Sequence, residues 1–206
     1  DDLTFSAKKH NITSIIGPNG AGKTTVFNCL TGFYKATAGS MYLNKDDNKM
    51  DLKKFSDFKV AQKAGVARTF QNIRLFPQMS VLENMMVAQH NKLMKASGFS
   101  ILGLINSKSY LQQEKEAMEI SKYWLDIIGL TNRADDNAGD LPYGDQRKLE
   151  IVRAMCIEPK LLCLDEPAAG LNPKESAELN KLLKFIKIEK KTGILLIEHD
   201  MSVVMG

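Results

Sequence analysis

The stretch "NITSIIGPNGAGKTTVFNCL", residues 11–30, decides the fold. Its first seven residues, built around Ile12, Thr13, Ile15 and Ile16, form a short apolar, β-branched run, as in a strand. From residue 24 onward Val26, Phe27, Leu30 and Phe33 recur at helical spacing. Between strand and helix, Gly17-Pro18-Asn19-Gly20-Ala21-Gly22-Lys23-Thr24 fits the pattern G-x-x-x-x-G-K-[ST]. Its glycines let the backbone wrap around a phosphate, so that N–H groups from Asn19 to Thr25 point inward. Lys23 is placed to neutralise β/γ-phosphate oxygens, and the Thr24 hydroxyl to complete a Mg²⁺ shell. A plain glycine-rich turn is the competing reading, and the strand–helix context argues against it.

Outward from this loop the pattern stays α/β. "SMYLN" (40–44) and "GVARTFQ" (65–71) read as strands, and "DLKKFSDFKVAQKA" (51–64) as an amphipathic helix. From about 80 to 158 the signal is almost wholly helical. "KLLCLDEP" (160–167) and "GILLIEHD" (193–200) are then nearly continuous apolar runs, as in parallel strands covered on both faces. The helix "PKESAELNKLLKFIKIEKK" (173–191) separates them. The pattern predicts a parallel-sheet α/β core, residues 1–71 and 159–206, with an inserted helical subdomain at 72–158.

Two further elements carry chemistry. The apolar run 161–165 ends in Asp165, whose carboxylate can hold Mg²⁺, with Glu166 directly after it. Adjacent strand residues point to opposite sides, so one acid can serve the metal while the other polarises water. Gln71 is a strand-end amide able to touch Mg²⁺ and water, or a simple turn residue. His199, ending the other apolar run, could ligate a metal, satisfy a strand end or sense a γ-phosphate. "LPYGDQRKLEIVRAM" (141–155) is a helix with a firm start at Pro142 and Gly144, and Leu149, Val152 and Cys156 form its stripe. A helix start attracts anions, yet this one has the acid Asp145 in its first turn and lies far from the glycine loop.

Composition narrows the rest. In 206 residues, 44% are hydrophobic and 25% charged, which suits a folded domain and argues against disorder. The net charge of +4 is too mild to imply nucleic acid. Lys181, Lys184, Lys187, Lys190 and Lys191 fall mostly opposite Leu179, Leu182, Leu183 and Ile186, as on a solvated helix face. Cys29, Cys156 and Cys163 show no metal spacing and read as reduced thiols of a reducing compartment. No run approaches the roughly 20 apolar residues of a membrane span, so a membrane role would come through partners.

Taken in order, these motifs resemble the ATP-binding subunit of an ABC transporter. Gly17 to Thr24 matches its Walker A loop, Gln71 its Q-loop, and "LLCLDE" (161–166) its Walker B strand with a catalytic glutamate. "AGLN" (169–172) matches the D-loop and His199 the switch histidine. "LPYGDQ", from Leu141 through Pro142, Tyr143, Gly144 and Asp145 to Gln146, stands where the family has its signature. Pro142 replaces the usual serine, Tyr143 a glycine, Asp145 a glutamine, and Asn172 an aspartate. The strings "GPNGAGKTTVFNCLTGFY", "RTFQNIRLFPQMSVLENMMVAQH", "LPYGDQRKLEI" and "DEPAAGLNPKE" are similar to the ATPase subunit of branched-chain amino-acid importers.

The resemblance implies a P-loop NTPase (RecA-like) core binding ATP and Mg²⁺, with Thr24, Gln71 and Asp165 about the metal and Glu166, His199 and Gln71 about the reaction. It implies a second ABC ATPase subunit, identical or not, whose ATP is capped by Leu141 to Gln146. Transmembrane permease subunits, and through them a substrate-binding protein, are further implied partners, with the chain peripheral on the cytoplasmic face of the cell membrane. Asp145 is expected to point away from phosphate, and Leu75 and Phe76 either to receive a partner's helix or to pack internally. Family members extend beyond both ends, so the chain is expected to be trimmed there and to lack the adenine-stacking aromatic. The competing readings are another ABC system (a urea/amide importer or a lipopolysaccharide-type exporter), a chromosome or DNA-repair type, and a nucleotide-binding scaffold without turnover. Chromosome and DNA-repair types carry long coiled-coil insertions that are missing here.

Overall fold

The computed structural model of the chain describes residues 3–45, 48–55, 59–91, 93 and 108–198. His199 and the segment 97–107 therefore lie outside the described residues. The chain divides into two compact units, Asp1–Asn72 with Glu158–Gly206, and Ile73–Ile157.

The first unit is organised by a four-stranded sheet in the order β1-β6-β5-β4, from β1 (Ile12–Ile15), β4 (Val66–Arg68), β5 (Leu161–Asp165) and β6 (Gly193–Ile197). Every pairing is parallel: Ile12 lies opposite Ile194, Leu162 opposite Ile194 on the other side, and Val66 opposite Leu161. Parallel strands deliver all their C-terminal ends to one edge of the sheet, where α/β folds place their ligands. β5 and β6 are covered on both faces, which explains their unbroken apolar sequence. Helix α1 (Lys23–Leu30) buries Phe27 against Leu52, Val60, Ala64, Val66, Cys163, Leu195 and Ile197. Helix α5 (Pro173–Glu189) buries Leu179, Leu182, Leu183 and Ile186, leaves Lys181 and Lys184 exposed and Lys187 half-buried, and is followed by the exposed Lys190 and Lys191. Its start is a capping box, Asn172 accepting from the Glu175 N–H while Glu175 accepts from Asn172.

A strand forms at Tyr42–Lys45, where the pattern at 40–44 predicts one, and the departures from the sequence pattern lie in residues 48–64. β2 (Tyr42–Lys45) pairs antiparallel with a second strand, β3 (Asn48–Asp51), that the sequence pattern does not announce. Within the stretch 51–64 expected as one helix, the described residues form a 3₁₀ turn at Leu52–Lys54, an extended Phe55, and an α-helical Lys59 leading into a π turn at Val60–Ala64. Asp51 is drawn into β3 and accepts from the Lys53 N–H, and Phe55 is extended at φ −112°, ψ 149°, which ends the first turn.

The second unit is helical: α2 (Val81–Ala88), α3 (Lys108–Ile127) and α4 (Tyr143–Met155). Val81, Met85, Trp124, Leu125, Leu149, Val152 and Met155 are buried in it. Asn84, fully buried, ties down the loop before α2, accepting from Phe76 N and donating to the carbonyls of Phe76 and Ser80. Among the described residues no helix is long and apolar enough to cross a membrane.

Candidate active site

The glycine loop leaves β1 and closes on α1. Gly20 and Gly22 adopt φ of 81° and 86°, the left-handed region that only glycine enters without strain. Gly22 is the N-cap of α1 and has no side chain to offer, so α1 begins with its N–H groups uncapped by any side chain. Pro18, Asn19, Gly20, Ala21, Thr24 and Thr25 are exposed around this start. Lys23 is buried, its Nζ donating to the carbonyls of Gly17 at 2.7 Å and Pro18 at 2.9 Å. Those contacts hold the ammonium inside the loop's curl.

At the same sheet edge β5 ends in Asp165, which is buried. Burial pushes its carboxyl above the ordinary range, and hydrogen bonding and charge from Arg68 pull the other way. The Arg68 guanidinium donates from Nη2 to Asp165 Oδ2 at 3.0 Å. The other oxygen, Oδ1, makes no hydrogen bond within the described residues. Sequence reasoning missed Arg68; its one signal was a charged side chain in an otherwise apolar strand, three residues before Gln71.

Glu166 is not the next strand residue that alternation suggests. It takes φ 47°, in the left-handed region, and its N–H donates to the Ile197 carbonyl at 2.9 Å. A non-glycine residue there costs about 1–3 kcal/mol and persists only where neighbours enforce it. The pull of β6 on its N–H is one such constraint. Gln71 is the second, its Nε2 donating to Glu166 Oε2 at 2.8 Å. Gln71 and Glu166 are thus brought together, with Asp165 one residue away. Glu198, also missed from sequence, accepts the Ala168 N–H at 2.9 Å and anchors the loop after Glu166.

The oxygens of Thr24, Gln71 and Asp165 are hard donors on three segments that reach one sheet edge. That donor set suits Mg²⁺, which is commonly held by one or two carboxylates with substrate phosphates and water. Among the described residues no group of three His, Cys, Asp or Glu forms a self-sufficient metal cage.

In the helical unit, Leu141 is buried and Pro142 (φ −54°, ψ 149°) is the N-cap of α4 without a side-chain cap. The N–H groups of Asp145 and Gln146 donate to the Pro142 carbonyl at 3.0 and 2.9 Å. Asp145 turns to Lys148, 2.9 Å away, and Gln146 folds back to donate to the Leu141 carbonyl at 2.8 Å. Tyr143 is exposed and Gly144 buried. Phe76 is 47% exposed and Leu75 half-buried.

The family model for the ABC transporter domain matches residues 1–169. The chain is 52% identical over 206 residues to the high-affinity branched-chain amino acid transport ATP-binding protein LivG of Escherichia coli (strain K12), covering 100% of this chain and 78% of that protein. A solved structure of the ADP conformation of an ABC transporter's ATP-binding cassette superposes with a TM-score of 0.80 at 32% identity, covering 98% of this chain and 76% of that one. A dimeric cassette bound to ADP and Pi in a post-hydrolysis state superposes at 0.70 with 25% identity, covering 97% and 79%.

Proposed function

Since the chain belongs to the ABC transporter family of ATP-binding cassettes, we propose that it hydrolyses ATP to power import of branched-chain amino acids through membrane permease subunits. The observation that carries the ATPase part of this reading is the Gln71–Glu166 contact of 2.8 Å at the sheet edge that also presents the phosphate loop. The import part is supported by the similarity to the branched-chain amino acid transport protein. The contact sets an acceptor carboxylate beside an amide that can hold water, next to the anion-binding start of α1.

In this reading the N–H groups from Asn19 to Thr25 wrap the phosphates and Lys23 neutralises them. Glu166 takes the proton of the attacking water, and Gln71 orients both water and carboxylate. Thr24, Gln71 and Asp165 would hold Mg²⁺, which when bound supplies charge neutralisation of the phosphate oxygens. His199 braces the γ-phosphate on the strength of the family resemblance. The unit 73–157 serves as the signature subdomain. Its Leu141–Gln146 segment caps the nucleotide of a second cassette, in which capacity it needs no lysine of its own. That second cassette fits the dimeric relative, and attachment to permeases places the chain peripherally at the cytoplasmic membrane face.

Glu166→Gln tests the assignment. ATP binding by calorimetry should be retained, while phosphate release falls by roughly 10²- to 10⁴-fold, the range for losing a general base. Unchanged turnover in the variant would overturn the role.

A further inference from the structure

We propose that Arg68 is a positioning residue for the metal, setting which oxygen of Asp165 is presented to it; this rests on the ATPase reading above. Arg68 is held from three directions. Its Nη1 donates to Asn28 Oδ1 on α1 at 2.5 Å and lies 3.4 Å from Thr31 Oγ1. Its guanidinium carbon sits 5.7, 5.8 and 4.8 Å from the ring centroids of Phe27, Phe33 and Phe70. Phe33 and Phe70 meet edge to face at 5.8 Å, which closes this aromatic surround. The third contact is Nη2 to Asp165 Oδ2 at 3.0 Å, with both side chains almost wholly buried.

A guanidinium is planar and stiff, so fixing Nη1 on α1 fixes where Nη2 lies, and with it Oδ2. Holding Oδ2 in this way favours one orientation of the carboxylate, and with it one direction for Oδ1. α1 is also the helix whose start holds the phosphate loop, and Phe70 adjoins Gln71. Arg68 therefore joins the three segments that carry Thr24, Asp165 and Gln71. A buried ion pair serving stability alone would require only the Asp165 contact. The Asn28 anchor and the aromatic surround add direction to it.

The experiment measures Mg²⁺ in the presence of ATP by calorimetry, and ATP binding in EDTA, for wild type, Arg68→Met, Arg68→Lys and Asn28→Ala. Arg68→Met should weaken Mg²⁺ about 10- to 100-fold, the usual loss when a ligand's orienting partner is removed, and change ATP binding in EDTA less than about twofold. Arg68→Lys keeps the charge but not the fork, so it should recover only part of that loss. Asn28→Ala keeps the ion pair and should shift Mg²⁺ affinity in the same direction by less. Full recovery by lysine, or folded variants with wild-type Mg²⁺ affinity, would overturn the inference. If Arg68→Met does not fold, Arg68→Lys and Asn28→Ala decide it alone. Wild-type protein that binds no ATP would instead overturn the ATPase reading beneath it.

Discussion

Arg147 is the most consequential buried charge in the helical unit, and replacing it with methionine should destabilise that unit in a pH-dependent way. Its side chain is fully buried on α4, with Nη1 donating to Glu150 Oε2 at 2.9 Å and Nη2 to the Tyr143 hydroxyl at 3.1 Å. Glu150 is itself buried, and its other oxygen accepts the Arg74 N–H at 3.0 Å. Methionine fills similar space but abandons the carboxylate. Breaking such a pair costs about 3–5 kcal/mol. Protonation caps the loss: neutralising a carboxyl of ordinary value 4.5 at pH 7 costs about 3.4 kcal/mol at 1.36 kcal/mol per unit, but only about 0.7 kcal/mol at pH 5. Burial already holds Glu150 above its ordinary value, and losing Arg147 raises it further. With the folded value raised, the native state binds more protons, so stability falls as pH rises from the unfolded value through the folded one. The variant, raised more, falls further. Trp124, the chain's single tryptophan, is buried in this same unit and reports its unfolding in urea. The loss should be about 3 kcal/mol at pH 7 and under about 1 kcal/mol at pH 5, and Arg147→Met with Glu150→Gln should remove the pH dependence. Equal losses at both pH values would refute the reasoning.

Gly139→Ala should cost about 1–3 kcal/mol by the same fluorescence assay, because an added Cβ would lie 2.9 Å from Pro77 Cβ and 3.1 Å from its carbonyl oxygen; a loss of a few tenths would refute the tight approach. Lys23→Ala removes a buried ammonium held on the Gly17 and Pro18 carbonyls, and should weaken ATP by about 10- to 100-fold, the worth of one charged hydrogen-bonding group. Calorimetry checks it, and unchanged affinity would remove Lys23 from the site. Burial pushes the Cys163 thiol up to about 12, and Cys156 is also buried, so iodoacetamide at pH 8 should label native protein at Cys29 alone. Mass spectrometry finding Cys163 labelled without unfolding would contradict that burial.

The phosphate loop, the two apolar core strands and the acid ending β5 were legible because each is written locally, in glycine spacing, apolar runs and a charge at a strand end. What stayed hidden depends on partners distant in sequence. Asn48, Lys49, Met50 and Asp51 form a strand by pairing with β2, with no alternation to announce it. Arg147, inside the polar run "DQRKLE", is buried because Glu150 and Tyr143, one turn to either side, complement it. Arg68 looks like a stray charge in an apolar strand until Asn28 and Asp165, 40 and 97 residues away, are placed around it.

The position of Glu166 shows how distant contacts set a reactive group that sequence marks only by type. Alternation alone would make Glu166 the next extended residue of β5, whereas its backbone is left-handed at φ 47°. Two hydrogen bonds lace the turn after β5 to the end of β6: Glu166 N–H to the Ile197 carbonyl, and Ala168 N–H to Glu198. These make residues 166–168 and 197–198 one hydrogen-bonded piece, and they offset the cost of the left-handed backbone at Glu166. Gln71, arriving from β4, then fixes the carboxylate itself. The proposed base is thereby held by three strands rather than by its own rotamer preference. A substitution that loosens the end of β6 would consequently misplace Glu166 without touching it.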